Sequence, residues 1–331
     1  LISGISVSNI GHCHPAVVEA IEKQAKTYMH LMVYGEYVQS PQVQLAAALN
    51  ELLPEKLNTV YFVNSGSEAT EGAMKLAKRF TGRSEIISCK NSYHGSTQGA
   101  LSIIGSEMFK TNYRPLLPDT RLLEFNSEAD LQYITKKTAC VVVETVQSEA
   151  GVIVPKNDWL KKLRQRCDET CTLLVFDEVQ AGFGRTGKFL AFEHYGVTPD
   201  LICCGKGISS SLPISAVIGR AEIMDQFGPG SMTSTHTGNP VCCAAALASV
   251  TKIIRENLAG NAARLEPVLL DGLKKIQAKH PEVIGHITAR GLVGGMQTVK
   301  RGQKEPDHDL AHSIIERCFH KGLLFFAPVG A

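Results

Sequence analysis

Lys206 is the residue of this chain whose type and setting most clearly point to chemistry. It lies between Gly205 and Gly207, directly after a short apolar run that ends in Cys203-Cys204. A lysine at the end of a buried strand, beside glycines that let another group approach closely, can hold an aldehyde cofactor as a Schiff base. Together with the carboxylate described next, this setting suggests pyridoxal 5′-phosphate (PLP), provided that groups for its phosphate and for stacking on its ring are also present.

Asp177 is a candidate partner for the ring of such a cofactor. It ends a second apolar run, Leu-Leu-Val-Phe-Asp. A carboxylate there is unfavourable to bury unless a cationic group meets it. A protonated pyridine nitrogen would be that group, and the ion pair would keep the ring an electron sink.

A phosphate site is predicted where Ser65-Gly66-Ser67 follows an apolar run and opens a helical pattern. Small residues expose backbone N–H groups, and a helix N-terminus favours an anion. The same residues would also make an ordinary N-cap, with Glu68 favourable to the helix dipole. Further along, Tyr93-His94-Gly95 could place an aromatic ring on a flat heterocycle, with space left by the glycine.

The segment 182–187, Gly-Phe-Gly-Arg-Thr-Gly, matches the G-x-G-x-x-G fingerprint of dinucleotide-binding folds. In those folds the fingerprint follows a strand directly and opens a helix, and an acidic residue ends the next strand. Here Asp-Glu-Val-Gln-Ala separates the motif from the apolar part of the strand, no clear helix follows, and Asp200 precedes its strand. We therefore do not expect a dinucleotide at this segment.

The elements that must position these residues are visible as alternating patterns. Apolar, β-branched runs predict strands; they cover residues 59–64, 85–89, 139–144, 173–177, 201–204 and 214–218. Apolar spacing of three and four residues predicts helices; they cover residues 67–80, 158–168, 241–256, 261–279 and 309–321. This alternation predicts an α/β fold with a mostly parallel sheet covered on both faces. Ligands bind at the carboxyl ends of such strands, so Asn64, Glu144, Asp177 and Lys206 should converge on one crevice.

The chain is expected to divide into three parts. Residues 1–14 read as part of an N-terminal segment, residues 15–257 as a large PLP-binding domain, and residues 258–331 as a small α+β C-terminal domain. The first and last parts look incomplete. Because the sequence begins at Leu1, a targeting segment before it stays an open alternative.

Charge and cysteine usage narrow the class of protein. Lys and Arg number 34 against 32 Asp and Glu, so neither nucleic acid nor a membrane is an expected partner. The 10 cysteines include adjacent pairs but no Cys-x-x-Cys, which predicts free thiols in a reducing compartment and a cytoplasmic location. His12 and His14 lack neighbouring ligands, so no metal site is expected.

The ordered set of motifs resembles the class III (ω-) aminotransferases, fold type I PLP enzymes, from about residue 9 to the end. The motifs that carry the resemblance are Ser65-Gly66-Ser67-Glu68-Ala69, Tyr93-His94-Gly95, Glu144 to Glu149, Asp177 to Gln180, the segment 182–187, Gly205-Lys206-Gly207, and Thr235 to Pro240. Two positions depart from the family pattern, with Thr145 where proline is usual and Thr70 where asparagine is common. The nearest members are the ornithine, acetylornithine and 4-aminobutyrate aminotransferases.

The resemblance implies a role for each matched residue. Lys206 would carry the cofactor and move the substrate's proton, with its pKa lowered by neighbouring charge and burial. Asp177 would hold the pyridine nitrogen, Tyr93 would stack on the ring, and Gln180 would lie near the phenolic oxygen. Thr235 would reach the phosphate of the other subunit, which implies a homodimer. The cofactor-binding residues implied are Ser65, Gly66, Ser67, Tyr93, His94, Glu144, Asp177, Val179, Gln180, Lys206 and Thr235.

Glu149 matches a glutamate that pairs with an arginine in these members when no α-carboxylate is bound, which lets one pocket accept an ω-amine and glutamate in turn. That arginine is expected beyond Ala331. The resemblance therefore implies transfer of an amino group from ornithine, acetylornithine or 4-aminobutyrate to 2-oxoglutarate, with Lys206, Asp177 and Glu149 as catalytic residues.

Two alternatives stay open from the sequence. The same family includes an aminomutase, a dialkylglycine decarboxylase and phospho-lyases, which would keep the cofactor and change the reaction. A non-catalytic or NAD-binding α/β protein is the alternative from another class, with Lys206 as a solvated surface lysine and Asp177 as a strand cap.

Overall fold

A seven-stranded sheet is the centre of the fold in the computed structural model, which describes residues 2–32, 37–156, 158–226, 228 and 230–327. Its strands are β1 (Thr59–Val63), β2 (Glu85–Cys89), β3 (Thr120–Leu123), β4 (Thr138–Glu144), β5 (Leu173–Asp177), β6 (Leu201–Cys204) and β7 (Ser215–Gly219). They lie in the order β1-β7-β6-β5-β4-β2-β3. β7 runs antiparallel to both of its neighbours, and the other six strands share one direction, which confirms the predicted mostly parallel sheet.

All six predicted strands are confirmed, and β3 is the strand that the sequence did not reveal. It holds four residues, Thr-Arg-Leu-Leu, of which Leu123 alone is buried. Because β3 is the edge strand beside β2, it needs little apolar surface. A short run with a charged residue therefore gives no strand signal of its own.

The helices of the described residues are α1 (Ser3–Ser6), α2 (Pro15–Thr27), α3 (Ser40–Glu51), α4 (Gly66–Thr81), α5 (Gln98–Ser102), α6 (Trp159–Thr170), α7 (Ala221–Met224), α8 (Pro240–Arg255), α9 (Leu258–Lys279) and α10 (His308–His320). Short 3-10 helices occur at Glu107–Phe109, Thr111–Tyr113, Ala129–Tyr133, Ala191–His194 and Lys206–Ile208. The predicted helices are confirmed as α4, α6, α8, α9 and α10. Across the described ranges, no helix has the length and apolar character needed to cross a membrane.

Apolar side chains leave both faces of the sheet and pack under helices. Val142 and Val175 share one buried cluster with Ala73 of α4. Val141 and Phe176, their neighbours along the strands, belong to the opposite cluster, which also holds residues of α6 and α8. Side chains alternate across a strand, so continuous apolar runs such as β4 and β5 supply both clusters.

A second, two-stranded sheet follows α9 in the chain. It is the antiparallel hairpin of β8 (Ile284–Arg290) and β9 (Val293–Thr298). Asn257 separates α8 from α9 in a left-handed conformation, with φ 48°. On these observations we propose that the small domain begins near residue 258; residues 323–327 form neither helix nor strand, and residues 328–331 lie outside the described residues.

Asp200 connects α6, β5 and the residue between β7 and α7, so its substitution tests the fold. Its Oδ2 accepts hydrogen bonds from Arg164 Nη1 at 2.8 Å and from Leu174 N at 2.7 Å. Its Oδ1 lies 3.2 Å from Arg220 Nη2. We expect Asp200→Ala to lower the free energy of unfolding by about 2–3 kcal/mol, because charged hydrogen bonds are lost at a largely buried site.

The matched control is Asp168→Ala, which removes an exposed carboxylate 2.7 Å from Nη2 of the same Arg164. Exposed ion pairs contribute little, so this change should cost less than about 1 kcal/mol. Urea denaturation of both variants measures the difference. Equal losses would contradict the importance given to Asp200.

Candidate active site

The carboxyl ends of β4, β5 and β6 bring the predicted site residues to one edge of the sheet. Glu144 pairs in register with Asp177, and Asp177 pairs with Cys203. Lys206 follows three residues after Cys203, and Asn64 follows β1, which has the same direction as β6. The predicted convergence of these strand ends is therefore present.

Lys206 is held with its amine inside this edge. The residue has a left-handed backbone, with φ 44°, and its Nζ donates a hydrogen bond to Gln180 Oε1 at 2.7 Å. Burial lowers the pKa of the Lys206 amine, whereas the charges of Asp177, Glu149 and Glu144 oppose that change. The expectation that neighbouring charge helps to lower this pKa is therefore wrong: those neighbours are anionic, and they favour the protonated amine.

Val179 packs between the Lys206 loop and the start of α4. A side chain at Gly205 would place Cβ 2.7 Å from Ser215 Oγ and 3.1 Å from Val179 Cγ1. A side chain at Gly66 would place Cβ 2.9 Å from the same methyl group. Both glycines are needed because the two backbones approach Val179 this closely, so one valine sets the spacing between the lysine loop and the predicted phosphate site.

Asp177 is buried and holds two donors. Its Oδ1 accepts from Val179 N at 3.0 Å, and its Oδ2 lies 2.8 Å from His94 Nδ1. His94 is also buried, and among the described residues its Nε2 has no hydrogen-bond partner. We assign the neutral ring with the proton on Nδ1, because a buried N–H left without an acceptor would cost more than a buried lone pair. In this tautomer Asp177 keeps its negative charge.

Sequence reasoning included His94 in the site but missed this contact. The expected contact between Asp177 and a cofactor's ring nitrogen stays a prediction, and His94 adds a donor that the protein itself supplies. The signal was the Tyr-His-Gly segment after β2. His94 and Asp177 are 83 residues apart in the sequence, and only the order of the strands in the sheet brings them together.

Glu144 and Tyr93 form a second contact at the same edge. Glu144 Oε2 accepts from the backbone N–H of Tyr93 at 3.3 Å. Burial, and then the charge of Asp177, raise the pKa of the Glu144 carboxyl well above its ordinary value. The Tyr93 ring makes an edge contact with Phe109, with ring centres 5.9 Å apart, which orients the ring that sequence analysis assigned to stacking.

The start of α4 has the form of both an N-cap and an anion site. Ser65 caps the helix, since its side chain accepts from Glu68 N at 3.2 Å. The first N–H groups of a helix have no acceptor within the helix. Those of Gly66 and Ser67 can therefore bind a phosphate, and the N-cap and phosphate interpretations of this segment are compatible.

Gly95 brings the loop after β2 against this helix start. A side chain there would place Cβ 2.2 Å from Ser67 Oγ, and the residue has φ 121°. The hydroxyl of Ser67 accepts from Ser96 N at 3.2 Å. The loop that carries Tyr93 and His94 is thus fixed directly to the predicted phosphate site.

Glu149 lies on a turn near the lysine, and Thr235 lies on an exposed loop. Burial raises the pKa of the Glu149 carboxyl, and the charge of Lys206 lowers it. Within the described ranges, no basic side chain forms an ion pair with Glu149. Ser234, beside Thr235, accepts from Asn64 Nδ2 at 3.2 Å, which places this loop beside the end of β1. The role of Thr235 toward another subunit stays a prediction.

Glu178 is a buried carboxyl that sequence reasoning left without a role. It accepts hydrogen bonds from the backbone of Ala191 at 2.8 Å and of Phe192 at 2.7 Å. Burial raises its pKa to about 8. The sequence signal for Glu178 was a second acidic residue after a buried strand. Its hydrogen-bond donors lie in a 3-10 helix that no sequence pattern predicted.

The glycine-rich segment 182–187 forms turns and packs against the N-terminal part of the chain. Asn9 Nδ2 donates to Phe183 O at 2.8 Å, and Asn9 Oδ1 accepts from Arg185. A side chain at Gly207 would place Cβ 2.2 Å from Asn9 Nδ2. Asn9, also missed from the sequence, therefore connects this segment to the residue after Lys206.

The described residues contain no cluster of three or more His, Cys, Asp or Glu side chains placed to hold a metal ion, and all ten cysteines are free. What this edge offers instead is a buried amine, a charged buried carboxylate, an oriented tyrosine and free N–H groups at a helix start. These are the groups that PLP requires for its aldehyde, ring nitrogen, ring face and phosphate. The residues present fit that cofactor.

Comparison with known proteins agrees with this geometry. The sequence profile of the family described as aminotransferase class-III matches residues 1–330. The chain is 41% identical to the acetylornithine aminotransferase of Methanopyrus kandleri, over 90% of this chain and 75% of that protein. It is 37% identical to a leucine/methionine racemase of Thermococcus litoralis, over 98% of this chain and 78% of the relative.

A solved structure has the same fold. The taurine:2-oxoglutarate aminotransferase of Bifidobacterium kashiwanohense, in complex with PLP and glutamate, superposes with a TM-score of 0.91 at 27% identity. The match covers 98% of this chain and 80% of that protein.

The raised pKa of Glu178 predicts a pH-dependent stability. The folded state keeps this proton up to a pH of about 8, whereas the unfolded state loses it near the ordinary value of 4.5. Between these values the unfolded state binds fewer protons, so stability falls as pH rises, by at most about 1.4 kcal/mol per pH unit. In Glu178→Gln this contribution to the slope should vanish.

Urea denaturation near the two ends of this window measures the effect. The control is Glu193→Gln, which changes an exposed carboxyl of the same segment that accepts from Leu190 N. Relative to wild type, Glu178→Gln should gain stability as pH rises. A constant difference between the two proteins would show that Glu178 is already ionised in the fold.

Proposed function

Because the chain belongs to the class-III aminotransferase family, and is a PLP-dependent transaminase, we propose that it transfers an amino group from the terminal carbon of an ω-amino donor to 2-oxoglutarate. The donor class is that of acetylornithine, ornithine or 4-aminobutyrate. The observation that carries the proposal is the Lys206 amine, which lies within 2.7 Å of Gln180 at the strand end beside Asp177 and Glu144.

The residues that would hold the cofactor follow from the contacts already described. Lys206 would bind its aldehyde, Asp177 its ring nitrogen, and the N–H groups of Gly66 and Ser67 its phosphate. Tyr93 would cover one face of the ring. PLP, when bound, supplies an electron sink for the carbon that loses a proton.

Lys206 is proposed as the base of the reaction. Its Nζ would remove a proton from the carbon that bears the donor's amino group, hold the proton, and deliver it to a different carbon, so that the donor leaves as an oxo product. Burial favours the neutral amine that this step requires, because a lowered pKa leaves more of the free base at neutral pH. The hydrogen bond to the Gln180 side chain fixes the position of Nζ before the reaction.

Asp177 is proposed to keep the ring nitrogen protonated. His94 Nδ1 and Val179 N each donate to its carboxylate, and both stabilise the charged form. The aspartate therefore presents a full negative charge in a dry environment, where its interaction with a cation is strong.

Glu149 is proposed to decide which substrate carboxylate the pocket accepts. It is half-buried near Lys206, and a carboxylate in that position needs a cationic partner. An arginine that pairs with Glu149 while an ω-amine is bound, and with the α-carboxylate of glutamate afterwards, would allow both halves of the reaction. The aminotransferase of Bifidobacterium kashiwanohense, named for 2-oxoglutarate and solved with glutamate, supports this acceptor.

A homodimer is proposed as the active form, with Thr235 reaching the cofactor of the other subunit. Thr235 is exposed, and its loop is fixed beside the start of α4 through Ser234 and Asn64. The cytoplasmic location stays a prediction.

The function is tested by incubating the full chain and PLP with N-acetylornithine, ornithine or 4-aminobutyrate, together with 2-oxoglutarate. One donor should be consumed with formation of an equal amount of glutamate, and the visible band of the bound cofactor should disappear when that donor is added alone. Lys206→Ala should lower turnover by about 10³-fold or more, because it loses its proton-transfer base. Near-normal turnover in that variant, with folding verified by circular dichroism, would falsify the assignment of Lys206.

Racemisation is a second candidate activity, favoured by the relative named as a leucine/methionine racemase. It also requires proton removal at the carbon that bears nitrogen, but no amino group leaves. Incubation with L-leucine or L-methionine and chiral analysis of the products would show the D-enantiomer without formation of glutamate or an oxo acid.

Asp177→Asn tests the role of charge rather than shape. We expect kcat to fall at least about tenfold, equivalent to about 1.4 kcal/mol, because the neutral amide cannot keep the ring nitrogen protonated. Retention of PLP on dialysis should change much less, since Lys206 and the helix start remain. Unchanged kcat in the PLP-loaded variant would show that Asp177 has another role.

A further inference from the structure

The tip of the β8–β9 hairpin packs directly on the segment that follows Gln180. Leu292 N donates to Arg185 O at 2.9 Å. A side chain at Gly291 would place Cβ 2.4 Å from the carbonyl carbon of Thr186. This part of the hairpin therefore fixes the position of the glycine-rich segment 182–187.

The turn that carries Glu149 includes an unfavourable backbone conformation. Gln147 and Ile153 close it with two backbone hydrogen bonds of 2.9 Å each. Gly151 has φ 92°, and Val152 has φ 62°. A β-branched residue is a rare occupant of this left-handed region, so the turn needs support from elsewhere in the fold.

The hairpin supplies that support through β9. A side chain at Gly295 would place Cβ 2.4 Å from Gly151 O and 3.0 Å from Val152 Cβ. The backbone of β9 therefore lies directly against the turn. Val293, two residues earlier, is buried in one cluster with Val152, and the other members of that cluster are Val146, Ala181 and Ala191.

These contacts connect the β8–β9 sheet to the turn that carries one carboxylate. Glu149 is two residues before Gly151, on the same closed turn, and the turn leaves its backbone little freedom. A displacement of the turn would move the Glu149 carboxylate relative to Lys206. Catalytic sites are sensitive to such shifts, because a misplacement of about 1 Å can change rates by about 10²-fold.

We propose that Gly295 and Val293 are positioning residues that set where the Glu149 carboxylate stands, and so determine how the pocket discriminates between the ω-amino donor and the dicarboxylate acceptor. The inference rests on the proposed function of Glu149. Neither residue touches a substrate; both act through the turn at residues 147–153.

Adjacent glycines of β9 give a matched pair of variants. A side chain at Gly295 would meet the backbone of Gly151, which cannot move without moving the turn. The nearest atoms to a side chain at Gly294 would belong to Leu269 and Leu273, at 3.0 and 3.4 Å, and these flexible side chains can adjust. Gly295→Ala and Gly294→Ala therefore make the same chemical change on opposite faces of one strand.

The measurement is kcat/KM for each half-reaction, with the amine donor in one and 2-oxoglutarate in the other. We expect Gly295→Ala to change the ratio of the two values by about tenfold, because the turn is displaced, and Gly294→Ala to leave the ratio nearly unchanged. Hydrogen–deuterium exchange should be faster for the amides of residues 147–153 in Gly295→Ala only. An unchanged ratio in folded Gly295→Ala would overturn the proposal.

A double-mutant comparison distinguishes positioning from a general loss of structure. In a Glu149→Gln background, Gly295→Ala should have little further effect on the ratio, because the carboxylate through which it acts is gone. An equal effect in both backgrounds would show that Glu149 is not involved.

If Gly295→Ala does not fold, Val293→Ala decides the question, since it removes apolar contacts without a clash and should shift the ratio in the same direction. An absence of transamination in wild type would contradict the proposed function instead, while amide exchange would still report whether the hairpin holds the turn.

Discussion

The burial of Asp177 as a charged carboxylate is the constraint on which the rest of the site depends. A charge at the end of a central strand must be met by donors that the fold itself supplies. His94 comes from the loop after β2, and Val179 comes from the loop after β5. Satisfying one carboxylate therefore fixes two loops from different parts of the sheet. Glu144, its neighbour in register, lies at the same edge with its pKa raised, so the negative charge is concentrated on one residue of the pair.

Close packing against the backbone then fixes the neighbouring segments of the site relative to Asp177. Val179 is held by its hydrogen bond to Asp177, and its methyl groups contact the backbones at Gly66 and Gly205. The loop with Gly95 rests on Ser67, which begins the same helix. A phosphate site, a ring site and a lysine are thus positioned by contacts that leave no space for a Cβ. Glycine is required at these points because the backbone lies too close to neighbouring atoms of Val179, Ser215 and Ser67 to leave room for a Cβ.

Much of this arrangement could be predicted from sequence, because it is local or follows from sheet geometry. Apolar runs identify the central strands, and the polar residues at the carboxyl ends of these strands must meet at one edge of the sheet. The contact between His94 and Asp177 could not be predicted, since it depends on which strands are neighbours. The same is true of Glu178, whose hydrogen-bond donors lie in an unpredicted 3-10 helix, and of Gly295, whose close approach to Gly151 has no local signature. β3 was missed because an edge strand needs little apolar surface.

The packing of Asn9 has a consequence for how the protein is made. Its amide group contacts the carbonyl of Phe183, 174 residues later in the chain, and it abuts Gly207 beside the lysine. During synthesis from the N-terminus, at about 5–20 residues per second, this early segment must wait roughly ten to thirty-five seconds for its partners to emerge. Contacts so distant in sequence form slowly once they are possible. The lysine loop is therefore completed only after Phe183 and Lys206 have both emerged. Because β7, which joins β1 to β6, is synthesised after Lys206, the central sheet and the reactive centre become complete together.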